Sequence, residues 1–162
     1  MDYYDKISKS YDELHSEEQK KKFEIVKSKI NIPKNAMILD VGCGTGISSD
    51  FDCFVVGIDP SIELLKLNKT SKKTLAKCEF LPFKSHFFDF VVSLTAIQNF
   101  DDIDLALKEI TRVGKNNFVI SALKKSSKIG RIRESISKYF SIQEIFEEEK
   151  DIIFFLGKIG KT

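Results

Sequence analysis

A short apolar run, Met37–Val41, leads straight into Gly42-Cys43-Gly44-Thr45-Gly46. Three glycines at alternate positions after a buried-strand pattern leave few options. Glycine reaches left-handed backbone and lets a ligand approach bare main chain. In an open α/β sheet, ligands bind beyond the carboxyl ends of the strands. The loop therefore marks both a fold class and a candidate site. A dinucleotide loop would read Gly-x-Gly-x-x-Gly, but position 47 is Ile, so the third glycine comes one residue early. A Walker loop would need Gly-Lys-Ser/Thr, which the sequence lacks.

Two carboxylates sharpen the choice. Asp40 lies two residues before the first glycine. It is poorly suited to a pyrophosphate and suited to a cationic amine. Asp59 closes a second apolar run, Phe54–Ile58, 17 residues after Gly42. An acid there can accept hydrogen bonds from both hydroxyls of a ribose. An amine, a ribose and no phosphate together describe S-adenosylmethionine.

The rest of the chain alternates helices and strands, which means crossover units and a mostly parallel sheet. Ser16-Glu17-Glu18-Gln19 fits a capping box opening a helix with Phe23, Val26 and Ile30 on one face. Pro33 stops it. Ser61 caps a short helix carrying Ile62, Leu65 and Leu67 inward, and Lys69–Lys77 reads as loop or frayed helix. Phe88–Leu94 is a strand. Asp101, Asp102 and Asp104 open a helix whose stripe is Ile103, Ala106, Leu107, Ile110 and Val113, closed by Arg112 and a C′ Gly114. Asn117–Ala122 is a strand, Leu123–Lys138 a basic segment, and Ser141–Phe146 with Ile152–Leu156 a closing antiparallel hairpin. We expect a single domain over 1–162, with an N-terminal lid or helix (1–32), a core (36–122) and the basic segment with its hairpin (123–162).

Composition excludes several classes. Hydrophobic residues are 42% and charged residues 31%, enough for both a core and a solvated surface. The net charge of +2 argues against a general polyanion binder while permitting local patches. The apolar runs fall short of the ~20 residues that span a bilayer. The polar start and three cysteines without a Cys-x-x-Cys pair suggest a cytoplasmic chain with reduced thiols.

Ile38–Gly46 and Val55–Pro60 resemble the cofactor motifs of class I S-adenosylmethionine-dependent methyltransferases. Glu79-Phe80-Leu81-Pro82-Phe83 followed by Phe87–Leu94 is similar to the pattern of the quinone-biosynthesis-like subgroup, here as a compact archaeal-type member. The resemblance covers roughly Tyr11 to Ala122. It implies a Rossmann-like α/β sandwich and methyl transfer by in-line displacement. It also implies roles. Asp40 and the Gly42–Gly46 backbone, Cys43 included, would hold the methionine end. Asp59 and Pro60 would lie at the ribose, and Ile62 would pack on the adenine with Cys78 and Glu79 at its edge. Ser93 and Leu94 would line the sulfur. Tyr11, with Tyr3 and Tyr4, would either close over the site or pack on the core.

Three departures stand out. Lys77 replaces a frequent Asp before Cys78. Only seven residues separate Gly46 from Phe54, almost no room for the first family helix. The usual Pro-Gly-Gly turn shortens to Lys115-Asn116-Asn117.

Thr95–Phe100 follows the strand that faces the methyl acceptor. Gln98 and Asn99 could hydrogen-bond an acceptor, or Asn99 could cap the next helix. Lys124, Lys125, Lys128, Arg131, Arg133 and Lys138 could contact RNA phosphates or form a solvated face. Cys53 and Cys78 read as buried apolar groups. His15 and His86 have no companions at metal spacing, so no metal site is expected. The primary expectation is methylation of RNA or a protein of the translation apparatus, with a small zinc-binding activator on an exposed sheet edge. The alternatives are a small-molecule C- or O-methyltransferase of the quinone-biosynthesis type, and a non-catalytic cofactor-binding partner.

Overall fold

The computed structural model describes residues 3–160 apart from 48 and 71, with side chains from Glu13 onward. Helix α1 (Tyr3–Lys29) is followed by β1 (Met37–Val41), β2 (Phe54–Asp59), α2 (Ile62–Leu67), β3 (Lys73–Leu75) and β4 (Phe88–Ser93). A 3-10 turn (Ile97–Asn99), α3 (Ile103–Val113), β5 (Gly114–Leu123), α4 (Ile129–Tyr139), β6 (Phe140–Glu147) and β7 (Asp151–Lys158) complete the order.

The seven strands form one sheet in the order β3-β2-β1-β4-β5-β7-β6. The first five are mutually parallel. β7 runs antiparallel to both β5 and β6, as the closing hairpin predicts. Strand order reverses between β1 and β4, the point where α/β sheets open a crevice at their carboxyl ends.

Each sheet face has its own core. On one, the five-residue stripe of α3 is wholly buried and packs with Ile132 and Ile136 of α4, Phe118 and Phe154. On the other, Phe23 and Val26 of α1 pack with Ile38, Phe51, Val92, Val119 and Ile153. Burying such side chains is worth about 1.5–3 kcal/mol each, so α1 and α3 are held chiefly by their apolar faces.

Several expectations need correction. Ser16 does not open α1, which extends back to Tyr3. Of the three α2 residues expected to face inward only Leu65 is buried; Ile62 and Leu67 are exposed. Ser61 does cap α2, accepting from Leu64 N. Lys73–Leu75, expected as loop, is a fully exposed edge strand paired with Gly57–Asp59. Gly114 is not a left-handed C′ residue. It is extended at φ −92° and lacks a side chain because a Cβ would meet the Phe118 ring at 2.4 Å. The shortened Lys115-Asn116 segment is absorbed as a bulge opposite Phe88–Phe90. The basic segment is largely α4. Among the described residues no helix is long and apolar enough to cross a membrane.

Candidate cofactor and acceptor site

The glycine loop leaves β1 at the sheet's reversal point with Gly42, Gly44 and Gly46 all at positive φ (75°, 51° and 87°). Gly42 answers a second demand as well. A Cβ there would come within 2.6 Å of the Ala96 side chain, so the loop lies directly against the turn after β4. The first three N–H groups of the loop are turned back onto the protein. Gly42 N and Cys43 N donate to Ile58 O, and Gly44 N donates to Asp59 Oδ2 at 2.9 Å. Such a loop favours recognition of a cationic amine by carbonyls and carboxylates over recognition of a phosphate by N–H groups.

Asp40 is 1% exposed and accepts a hydrogen bond from the Ser49 hydroxyl. Burial pushes its carboxyl up to about 7; the Ser49 donor opposes this, and Asp59 nearby adds to it. A cationic ligand amine would reverse the balance by stabilising the carboxylate. Affinity for an ammonium-bearing ligand is therefore expected to rise with pH through about 7. Below that value binding should release about one proton. Calorimetry at pH 6 in buffers of differing ionisation enthalpy measures that release.

Asp59 spans loop and helix. Its Oδ2 holds Gly44 N and its Oδ1 holds Ser61 N at 2.8 Å. A carboxylate accepts about four hydrogen bonds, so capacity for two hydroxyls remains. Pro60 and Ile62 are exposed beside it. Asn68, which the sequence reading missed, braces the loop from the end of α2: its Nδ2 donates to Gly44 O at 3.0 Å. A Cβ on Gly46 would meet its Oδ1 at 2.8 Å.

Cys43 is buried under Gly57 of β2, with its thiol raised to about 12, first by burial and then by Asp40 and Asp59. It is packing, not a nucleophile. The Cys78 side chain faces Ala106 O of α3 and is likewise pushed up by burial. Glu79 is buried and accepts from Asp101 N and Asp102 N through Oε1, fixing the entry to α3. The Leu-Pro-Phe motif is clamped from α3. Leu81 N donates to Glu109, and Arg112 donates to Leu81 O and Phe83 O. The Arg112 donor holds the Glu109 carboxyl below its ordinary range. Ser93 donates to Val41 O at 3.0 Å, and Leu94 is buried beside it. The Tyr3, Tyr4 and Tyr11 side chains lie outside the described residues.

Gln98 Nε2 donates to Thr95 O at 2.9 Å, while its Oε1 is buried without a partner among the described residues. Asn99 is exposed and caps nothing; Asp102 caps α3 by accepting from Leu105 N. The site thus gathers Asp40, the glycine loop, Asp59, the ends of α2 and β4, and the Thr95–Asn99 turn.

Residues 39–120, half of the chain, match the family described as a methyltransferase domain. This chain belongs to the methyltransferase domain family. An uncharacterized protein of Methanocaldococcus jannaschii is 39% identical to this methyltransferase domain over 122 residues, 72% of this chain and 47% of that protein. A demethylmenaquinone methyltransferase of Bacillus licheniformis is 29% identical over 130 residues, 69% of this chain and 56% of that enzyme. The chain spans about half the length of these curated relatives. Among solved structures, the complex between the Haloferax volcanii Trm112 methyltransferase activator and a methyltransferase matches with TM-score 0.71. The identity is 15%, over 83% of this chain and 87% of that one, a likeness of fold alone. The mixed sheet of this methyltransferase domain is thus the Rossmann-like arrangement its sequence implies, and the family's methyl donor is S-adenosylmethionine.

Proposed function

We propose that this chain transfers a methyl group from S-adenosylmethionine to an RNA or protein acceptor of the translation apparatus, aided by a small zinc-binding activator subunit. The observation that carries cofactor binding is the pair Asp40 and Asp59 on either side of a loop held left-handed at three glycines. Asp40 and the loop carbonyls would take the amino group, and Asp59 the ribose hydroxyls. Ile62 and the segment around Cys78 and Glu79 would take the adenine, and Ser93 and Leu94 would lie near the sulfur. When bound, the cofactor supplies an already activated methyl group on its sulfonium. The chain's own residues must then mainly align donor and acceptor, an effect worth several kcal/mol of barrier.

Two surfaces support the acceptor and partner. Lys125, Lys128 and Arg131 are exposed on the carboxyl side of the sheet, and Lys128 Nζ donates to Gln98 O at 3.1 Å. Cationic groups thus adjoin the candidate acceptor-positioning residues Gln98 and Asn99, where phosphates could be met. At the far sheet edge, β3 is exposed on all three residues. Leu75 within it and Leu67 beside it are 55% and 67% exposed, and Lys72 and Lys73 are exposed too. An unpaired strand edge with apolar neighbours is a template for a partner, and the Haloferax complex gives that reading a precedent of similar fold. The demethylmenaquinone methyltransferase relative favours a second reading, a quinone-type small-molecule acceptor; the third is binding without transfer.

Incubation with methyl-labelled cofactor and fractionated native extract separates the three. Label in RNA or protein is the expected result. Label confined to the lipid fraction replaces the first reading with the second. Binding with no label in any fraction, activator present, leaves the third.

A further inference from the structure

We infer that Lys22, Asp151 and Thr95 form a buried polar lock that positions the cofactor loop, with Lys22 and Asp151 acting as positioning residues through Thr95. The inference rests on the cofactor reading above. It starts from a strained residue. Thr95 follows β4 at φ 55°, and a β-branched residue is rarely found there without strong external constraint.

The constraint comes from three separate elements. Lys22 Nζ of α1 donates to Thr95 Oγ1 and to Asp151 Oδ2. Thr95 Oγ1 donates to Asp151 Oδ2 at 2.6 Å. Thr95 N donates to Ser121 Oγ of β5 at 2.8 Å. Lys22 is 3% exposed and Asp151 1%. A buried ion pair is weak evidence of stabilisation, because an apolar pair of like volume often serves stability as well or better. What this pair does visibly is hold Thr95 left-handed. The next residue, Ala96, is thereby set against Gly42, where no room exists for a Cβ. Gln98, two residues on, is tied to Thr95 O. Helix α1 and the start of β7 are thus connected, through Thr95, to the turn that packs on the glycine loop.

The decisive variants remove the charges while keeping shape: K22M/D151N, with T95G as a second variant that tolerates positive φ. Wild type and variants are compared by thermal melting, by titration with S-adenosylmethionine and by hydrogen exchange of residues 42–47 and 95–99 without ligand. Positioning predicts that K22M/D151N melts close to wild type, binds about tenfold more weakly, and exchanges faster in both segments. T95G should reproduce the weaker binding. If the double variant keeps wild-type affinity and wild-type exchange at 42–47, whether or not its melting temperature falls, the lock is only structural and the inference is overturned. If wild type itself fails to bind, the cofactor reading falls, while the ligand-free exchange comparison still decides the lock.

Discussion

Asp59→Ala should weaken S-adenosylmethionine binding some hundredfold. Hydrogen bonds to charged acceptors contribute about 1.5–3 kcal/mol each. Asp59 is proposed to offer two to the ribose, so about 3 kcal/mol or more is at stake, each 1.4 kcal/mol being tenfold in Kd. The same side chain holds Gly44 N and Ser61 N. The variant therefore also strands a loop donor and loosens the start of α2. Calorimetric titration of folded protein measures the effect. S-adenosylhomocysteine, which keeps the ribose and lacks the methyl, should suffer equally. A loss below about threefold for both ligands would remove the sugar from Asp59.

Asp40→Asn should separate stability from binding in opposite directions. The carboxyl of Asp40 is raised to about 7, primarily by burial, so the folded chain disfavours its ionised form. Between the unfolded value near 3.8 and about 7 the folded state keeps a proton that the unfolded state has released. Stability is therefore lost as pH rises through that window, and the loss persists above it. An asparagine carries no such cost and can still meet the Ser49 hydroxyl. The variant should melt above wild type at pH 8 and alike at pH 4. Affinity for S-adenosylmethionine at pH 8 should drop a hundredfold or more, because the amide cannot neutralise the amino group. Melting curves from pH 4 to 8 with one titration at pH 8 check both halves. Residues kept for function at a cost to folding behave this way.

Much of the molecule was legible because its signals are local. The glycine loop, Asp40 and Asp59 lie within 20 residues of one another, and the apolar stripe of α3 repeats at helical spacing. What escaped was decided elsewhere in the chain. Ser16-Glu17-Glu18-Gln19 is a sound start signal, yet a helix already begun at Tyr3 runs through it, since propagation is easier than nucleation. Lys73-Thr74-Leu75 shows no buried face; it is a strand only because β2 offers an unpaired edge. Gly114 reads as a helix terminator, whereas the Phe118 ring selects it. Lys22 carried no signal at all, its partners Thr95 and Asp151 being 73 and 129 positions away.

The short link from Gly46 to Phe54 has a consequence for selectivity. Among its described residues no helix forms, so the link itself presents no helix N-terminus to the loop. In dinucleotide-binding folds that terminus is what attracts a pyrophosphate. Here the described link supplies no such terminus, and two acidic side chains flank the loop. The same architecture that serves nicotinamide and flavin carriers should therefore turn such doubly anionic molecules away.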